Sequence, residues 1–458
     1  MNLVYLMVSQ IIGLSLGILK SILLPIYLTV EDFGYWQIYL LYVGYLGMLS
    51  LGFNDGLLAR YGKLNFDNLP TKKIGESIKV FMFFNLILTS LFLSYLYFYV
   101  EDEKKIVFYF VVINIPITIL NGIFLFLLQS TNQIKKYSLY SIIDKSVLLF
   151  TILIILFFNS KNIYIIIVVD ILSKLIQALL MYLNFKVLFS WKLSLTKSIF
   201  TEIIDNIKRG FFILLTNLVG MLLFGYGMFL IERFMSLSEY SNYSLSISTT
   251  NILLLFINAM AIVTFPYLSR INKDQLNNTI LNIYRIVFYV SLIMIVAYFP
   301  IEFVIKNYLN EYKKVLSFLP YVFLAVVIQL KYNILLLPIA KLKKVESKLF
   351  KINLSLLLLN IVLTTLSVSI FNSISLVAIS LFITMLIRNL ITEKTILNNL
   401  NHSNSMIFTE ILYYLIFLLA VFHLRFLTAS VIYIAFLFIL FAYNYHTILD
   451  LLRKRSVK

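Results

Sequence analysis

Apolar residues come in runs of about 20, separated by short polar breaks, from one end of the chain to the other. That is the length an α-helix needs to cross about 30 Å of hydrocarbon. Read run by run, the pattern predicts fourteen helices. They cover residues 4–28, 35–58, 79–100, 106–130, 139–159, 163–185, 211–231, 243–267, 284–305, 315–340, 351–371, 375–396, 408–423 and 428–449. A helix is the sensible open-chain solution there, because every backbone donor in hydrocarbon needs an internal partner. The expected fold class is an all-α polytopic membrane protein.

The polar breaks assign an orientation. Connections after even-numbered spans, together with the tail, hold 26 of the 38 Lys and Arg residues, and odd-numbered connections hold eight. Arg388 is counted here with the even-numbered connections. Basic loops stay cytoplasmic, so both termini are expected in the cytoplasm. The first odd connection, in "LPIYLTVEDFGYWQIYLL", carries only Glu31 and Asp32, as suits an outer loop.

The chain also repeats itself. A similar acidic joint returns about 207 residues later in "RFMSLSEYSNYSLS"; "LLQSTNQIKK" (127–136) resembles "LLLPIAKLKK" (335–344); and "FFNS" (157–160) resembles "IFNS" (370–373). Three matches in order, at nearly constant offset, predict a duplicated six-helix unit with an axis along the membrane normal. The expected organisation is an N-terminal bundle (1–186), a cytoplasmic interfacial linker helix (187–210), a C-terminal bundle (211–397), and two extra helices with a basic tail (398–458). In the linker, Ile199, Phe200, Ile203, Ile204 and Ile207 share one helical face, with Glu202, Asp205 and Asn206 opposite, as on a helix lying at the interface.

Composition agrees. Of 458 residues 61% are hydrophobic and 13% charged, with a mean hydropathy of +0.94, too little polar surface for a soluble protein of this length. The N-terminus lacks a basic n-region, so the first span is expected to be retained. With no Cys, three scattered His and no Walker-type run, nothing points to a metal, a cofactor or a nucleotide site. The net charge of +17 follows membrane topology rather than a nucleic-acid surface.

Candidate chemistry therefore lies in polar faces within spans. Ser9, Gly13, Gly17 and Ser21 form a small-residue stripe suited to close helix packing, with Lys20 on nearly the same face. Asp170, Lys174, Gln177 and Asn184 form a stripe on span 6; Asn114, Thr118 and Asn121 lie on span 4; Gln329, Lys331 and Asn333 lie on span 10. Lys20, Lys145, Lys174 and Lys331 are the in-span cations. A central charge costs about 2.5–3.5 kcal/mol on insertion scales, which calls for water, a partner or an anionic ligand. Two plainer accounts stand beside that one: Asp170 and Lys174 can neutralise each other at i, i+4, and Lys145 can snorkel to the inner edge. Asp55, in "LGFNDGLLARYGK", and Arg60 suit a helix-end pair better than catalysis. Asp55, Asp170 and Glu232 are the candidate carriers of a coupling H+ or Na+.

"LLPIYLTVEDFGYWQIY", "LGFNDGLLARYGK" and the Gln/Lys-rich inner end of span 4 resemble polysaccharide-biosynthesis flippases of the Wzx type. These belong to the superfamily of MATE multidrug exporters and the lipid II flippase. The resemblance implies two six-helix bundles rocking around a central cavity in the bacterial cytoplasmic membrane. The implied substrate is an oligosaccharide on undecaprenyl diphosphate, moved from the cytoplasmic to the outer leaflet. Membrane lipids, a polysaccharide polymerase and chain-length machinery are the implied partners. By position, Lys20 is the best candidate to meet the diphosphate, and Lys174, Lys331 and Lys145 could line the same cavity. The in-span cations are all Lys, a departure that leaves no bidentate Arg–phosphate contact mid-membrane. The last two spans have no counterpart in many relatives; carriage of the isoprenoid tail is one role for them. A drug/cation antiporter of the same fold and a membrane polymerase or ligase are the competing functions.

Overall fold

A computed structural model describes residues 2–62, 64, 66–100, 103–157, 162–190, 196–269, 271–397 and 404–443, which are helical with short connections and contain no strand. The basic tail and most of the first "FFNS" turn lie outside them. The chain forms two compact units, Met1–Gly225 and Tyr226–Lys458.

Unit 1 begins with α1 (Asn2–Tyr27), α2 (Val30–Tyr45) and α3 (Phe53–Tyr61). The second predicted span is broken. A 3-10 turn, Leu46–Ser50, ends in left-handed Leu51 (φ 51°) and Gly52 (φ 86°), and the two halves meet at 54°. Then follow α4 (Thr71–Tyr99), α5 (Lys105–Ser130), α6 (Ile134–Phe157), α7 (Ile163–Asn184), the single turn α8 (Lys186–Phe189), and α9 (Lys197–Phe234) up to Gly225.

The interfacial linker and span 7 prove to be one 38-residue helix, α9, about 57 Å long at 1.5 Å per residue. Its orientation also differs from the expectation. Glu202 and Asn206 are fully buried beside Ile199 and Ile203, whereas Phe200 and Ile204 are exposed, so the expected apolar face is split. The polar face turns inward because partners wait there: Arg60 and Lys73 each lie 3.0 Å from the Glu202 carboxylate, and the Tyr61 hydroxyl donates to it at 2.5 Å. Arg60 therefore pairs with Glu202 rather than with Asp55. The helices can approach so closely because the "LGFNDG" motif places Gly52 and Gly56 one turn apart. A Cβ on Gly56 would overlap the backbone of Asn206, and one on Gly52 the backbone of Gly210 and Phe211.

Unit 2 takes the end of α9, then α10 (Leu237–Ser269), α11 (Lys273–Ile295), α12 (Tyr298–Tyr308) and a 3-10 stretch, Asn310–Ser317. α13 (Leu319–Lys331) continues through a π-helical turn, Tyr332–Leu336, into α14 (Leu337–Leu342); α15 (Glu346–Ser369), α16 (Ile374–Ile396), α17 (Asn404–His423) and α18 (Phe426–Tyr443) complete the unit. α13 is the core of this unit, packed by α10, α11, α16 and α17. The first half of α10 is polar yet buried. Its Ser244, Ser246, Thr249 and Thr250 hydroxyls donate back to carbonyls three or four residues earlier, which satisfies them without water. α17 and α18 are not an appendage. Phe417 packs on Tyr298 and Phe323, and the Tyr433 hydroxyl donates to the Leu292 carbonyl.

Among the described residues ten helices are long and apolar enough to cross a membrane, eleven with the bent pair α2–α3. Of the fourteen expected spans, α1, α10 and α18 fall outside that set. Ser15–Tyr27 and Phe426–Ala442 are short apolar helices, and the first half of α10 is rich in Ser, Thr and Asn.

The repeat acquires a local cause. Thr29 caps α2: its hydroxyl accepts from the Asp32 N–H at 3.1 Å and donates to the Asp32 carboxylate at 2.8 Å. At an offset of 207, Ser236 accepts from the Glu239 N–H and Glu239 reaches back to the Ser236 N–H, both at 3.3 Å. The acidic joint is thus a side-chain N-cap made twice, with the reciprocal backbone bond of a capping box at the second joint, and it places carboxylates where the helix dipole favours them. The turn after α5, through left-handed Asn132, recurs after α14 through left-handed Lys344 with equivalent backbone bonds, at an offset of 212 rather than the 208 read from the sequence.

The close approach of α3 and α9 makes Gly56→Ala costly, by about 1–3 kcal/mol for overpacking a tight contact. Gly220, whose Cβ would meet nothing within 4 Å, provides the contrast. Thermal unfolding of the purified protein is expected to show a lowered melting temperature for Gly56→Ala and an unchanged or raised one for Gly220→Ala.

Candidate functional site

In unit 1 the polar stripes converge. Asp170 on α7 accepts a 2.6 Å hydrogen bond from the Tyr39 hydroxyl of α2 and forms an ion pair with Lys174 one turn on. Asn114 of α5 donates to the Tyr39 oxygen at 2.6 Å, and Asn121 donates to the Lys174 carbonyl at 2.9 Å. Lys174 also lies 5.5 Å from the Tyr39 ring centre. Asp170 and Lys174 thus neutralise each other, and Tyr39 and Asn114 hold Asp170 in place.

Lys20 is arranged differently. It is half-buried on α1, its ammonium 5.5 Å from the ring centre of buried Trp36, and it makes no ion pair among the described residues. Asp170, Lys174, Asp144 and Lys145 all lie within electrostatic range. Lys145 on α6 sits against Gly13, where an added Cβ would come within 3.3 Å of its ammonium. The small-residue face of α1 is therefore what admits a lysine from α6. The group holds three ammonium groups and two carboxylates, an excess of one positive charge. Of the two Asp144 carboxylate oxygens, Oδ1 is buried without a hydrogen-bond partner.

Lys331 does not join this group. It belongs to unit 2, where it is 2% exposed between Glu393 of α16 (2.7 Å) and Glu410 of α17 (2.5 Å), with the Tyr284 ring centre 4.8 Å away. The Tyr414 hydroxyl donates to the other Glu410 oxygen at 2.6 Å. The π-helical turn starts at the next residue, as such turns often do beside functional or strained positions.

Arg388, counted by sequence with the cytoplasmic loops, is instead buried within α16 and lies 4.1 Å from the Tyr332 ring centre. The expectation that every in-span cation is a lysine is overturned. Asp55 lies in the first turn of α3, and Glu232 is buried near the end of α9 in unit 2.

Tyr39, Trp36, Asp144, Arg388, Glu393 and Glu410 are the contributors that sequence reasoning missed. Three carried a signal. Trp36 and Tyr39 are spaced i, i+3 on one face of α2, and Asp144 directly precedes Lys145. The three from α16 and α17 are separated from Lys331 by 57 to 79 residues, and only packing reveals the match.

The ion network around Lys331 makes it a stabilising centre. Removing one member strands charges out of water, so Lys331→Met is expected to cost about 3–5 kcal/mol. Adding Glu393→Gln and Glu410→Gln to Lys331→Met should recover part of that loss, as read by thermal unfolding in detergent.

Among solved structures, the fold is similar to the lipid II flippase MurJ in an inward closed conformation, with a TM-score of 0.68 and 16% identity over 97% of this chain and 99% of that one. It is also similar to a MATE protein in complex with MaL6 (TM-score 0.55, 12% identity, 85% and 94% covered). An outward-facing multidrug resistance MATE family transporter of the MOP superfamily is a further likeness (TM-score 0.53, 13% identity, 86% and 93% covered). At these identities the likeness is one of fold. No curated protein matches the sequence. The profile of one family, the polysaccharide biosynthesis proteins, matches residues 1–272, more than half the chain, and the protein belongs to that family.

Proposed function

We propose that the protein is a flippase that carries an undecaprenyl-diphosphate-linked oligosaccharide from the cytoplasmic to the outer leaflet by alternating access, for assembly of a surface polysaccharide. Family membership and the flippase-like fold support a transporter of a lipid-linked substrate rather than an enzyme. The observation that carries the finer reading is the charge arrangement of unit 1. Asp170 and Lys174 cancel, Lys145 sits beside Asp144, and Lys20 makes no ion pair among the described residues, its ammonium resting on an aromatic face. A diphosphate loses its hydration when it leaves water, and such a cation replaces part of it with a charge-assisted contact.

Lys20 is accordingly the phosphate contact in this proposal, with Lys145 and Lys174 as supporting charges. Lys331 leaves the set, since two carboxylates already take up its charge. Asp144 and Asp170 are the carboxylates best placed to exchange a coupling H+ or Na+ next to the bound anion. Both termini lie in the cytoplasm in this scheme, and a polymerase would act on the product in the outer leaflet.

One charge-assisted contact is worth about 1.5–3 kcal/mol, roughly ten- to a hundredfold in affinity. Cells carrying Lys20→Ala should therefore accumulate lipid-linked repeat units in the inner leaflet at unchanged membrane abundance of the protein, and Lys20→Arg should restore part of the export. The measurement compares a probe that labels only outward-facing glycan with total extracted glycolipid. Outward labelling unchanged in Lys20→Ala would remove this lysine from the mechanism. Outward accumulation of single repeat units in a deletion strain would favour a polymerase, and normal polysaccharide with lost cation resistance would favour a drug antiporter.

A further inference from the structure

The buried guanidinium of Arg388 has no counter-ion among the described residues. It is 2% exposed, deep in unit 2 on α16. One terminal nitrogen, Nη2, donates to the Gln329 side-chain oxygen, and the Tyr332 ring covers one face. Its Nε is buried with no acceptor. No carboxylate forms an ion pair with it among the described residues; Glu393, on the same helix, points its charge to Lys331. A charge held out of water without a partner is among the most costly features a protein can retain.

The surroundings fit a ligand contact better than a packing accident. Gln329 and Asn333 lie on the opposing segment, both only partly buried, and they hydrogen-bond each other at 2.9 Å through the Gln329 amide nitrogen. The Gln329 oxygen occupies the position an anionic oxygen would take on Arg388. The π-helical turn at Tyr332–Leu336 contains Asn333 and begins three residues after Gln329, an irregularity that allows the segment to shift without breaking the helix. Arg presents a planar fork that pairs with two oxygens at once, which a lysine cannot do.

We infer that Arg388, with Gln329 and Asn333, forms an oxyanion subsite in unit 2, closed here by the Gln329 amide, that takes a carboxylate or phosphate group borne by the transported glycolipid. The inference rests on the flippase reading for the source of the anion but not for the existence of the subsite. In this scheme Gln329 swings away as the anion arrives, and the two anionic oxygens pair with Nε and Nη2 of Arg388. The amide groups of Gln329 and Asn333 then donate to the ligand's remaining oxygens. An acidic sugar would supply the carboxylate, and the lipid diphosphate or a phosphorylated sugar would supply the phosphate.

The test uses the full chain in detergent and two probes, sodium glucuronate and inorganic phosphate, with sodium chloride at matched ionic strength as the baseline. Saturable stabilisation of the wild type by either probe, absent in Arg388→Gln, supports the subsite. Stabilisation by glucuronate alone assigns it to an acidic sugar; stabilisation by phosphate assigns it to a phosphate group. No response to either probe overturns it, as does an equal response in Arg388→Gln.

A second variant guards against loss of the fold. Gln329→Glu supplies the missing counter-ion internally, so it should raise the melting temperature and abolish the response to both probes. A lowered melting temperature would show that Arg388 lacks nothing in the resting protein and would overturn the inference. The flippase reading is judged separately, by the leaflet assay on Lys20→Ala, so either can fail while the other stands.

Discussion

The absence of water from hydrocarbon governs this structure. Every backbone amide must find its partner within its own helix, and every charge must meet an opposite charge, an aromatic face or a ligand. Lys331 illustrates the rule in full: two carboxylates from α16 and α17 surround its ammonium, and Tyr284 and Tyr414 close the shell. The polar half of α10 follows the same rule with weaker groups, turning its hydroxyls back on its own carbonyls. Among the described residues, Lys20 and Arg388 are buried or half-buried cations whose visible partners do not cancel their charge, and for that reason they carry the functional argument.

Close approach is the second constraint. Gly52, Gly56 and Gly210 let the backbones of α3 and α9 touch, and the resulting contact brings Glu202 between Arg60 and Lys73. The conspicuous "LGFNDG" stretch is thereby explained without chemistry of its own. Its glycines set a distance, its left-handed Gly52 bends the span, and its Asp55 stands in the favourable first turn of the second half. The paired Thr29–Asp32 and Ser236–Glu239 caps answer a similar question for the acidic joints. Their carboxylates begin a helix, and they recur because the helical unit recurs.

The C-terminal helices gain a definite place from the same electrostatics. Glu410 comes from α17 and completes the Lys331 cluster, while Phe417 and Tyr433 extend the aromatic packing of α11, α12 and α13. A helix pair that looked dispensable in a two-times-six plan holds one of the two counter-charges at the centre of unit 2. Any role in carrying a lipid tail would be additional to this structural one.

The sequence by itself determined the class of protein, the order of its helices and the duplication, because these depend on local properties: run length, turn chemistry and the spacing of caps. It also found Lys20, Lys174, Asp170, Asn114 and Asn121, since polar residues stand out in a run that should contain none. Partnership was decided only by the tertiary structure. Glu202 turned inward because Arg60 and Lys73 lie 142 and 129 residues away in sequence but 3.0 Å away in space. Arg388 lies within the predicted span 375–396 but counts by sequence with the basic loop beyond it, because its burial depends on Gln329 and Tyr332, 59 and 56 residues away in sequence. Charge pairing in a low-dielectric interior acts across space, so no pattern along the chain records whether a buried cation is already satisfied or still awaits its anion.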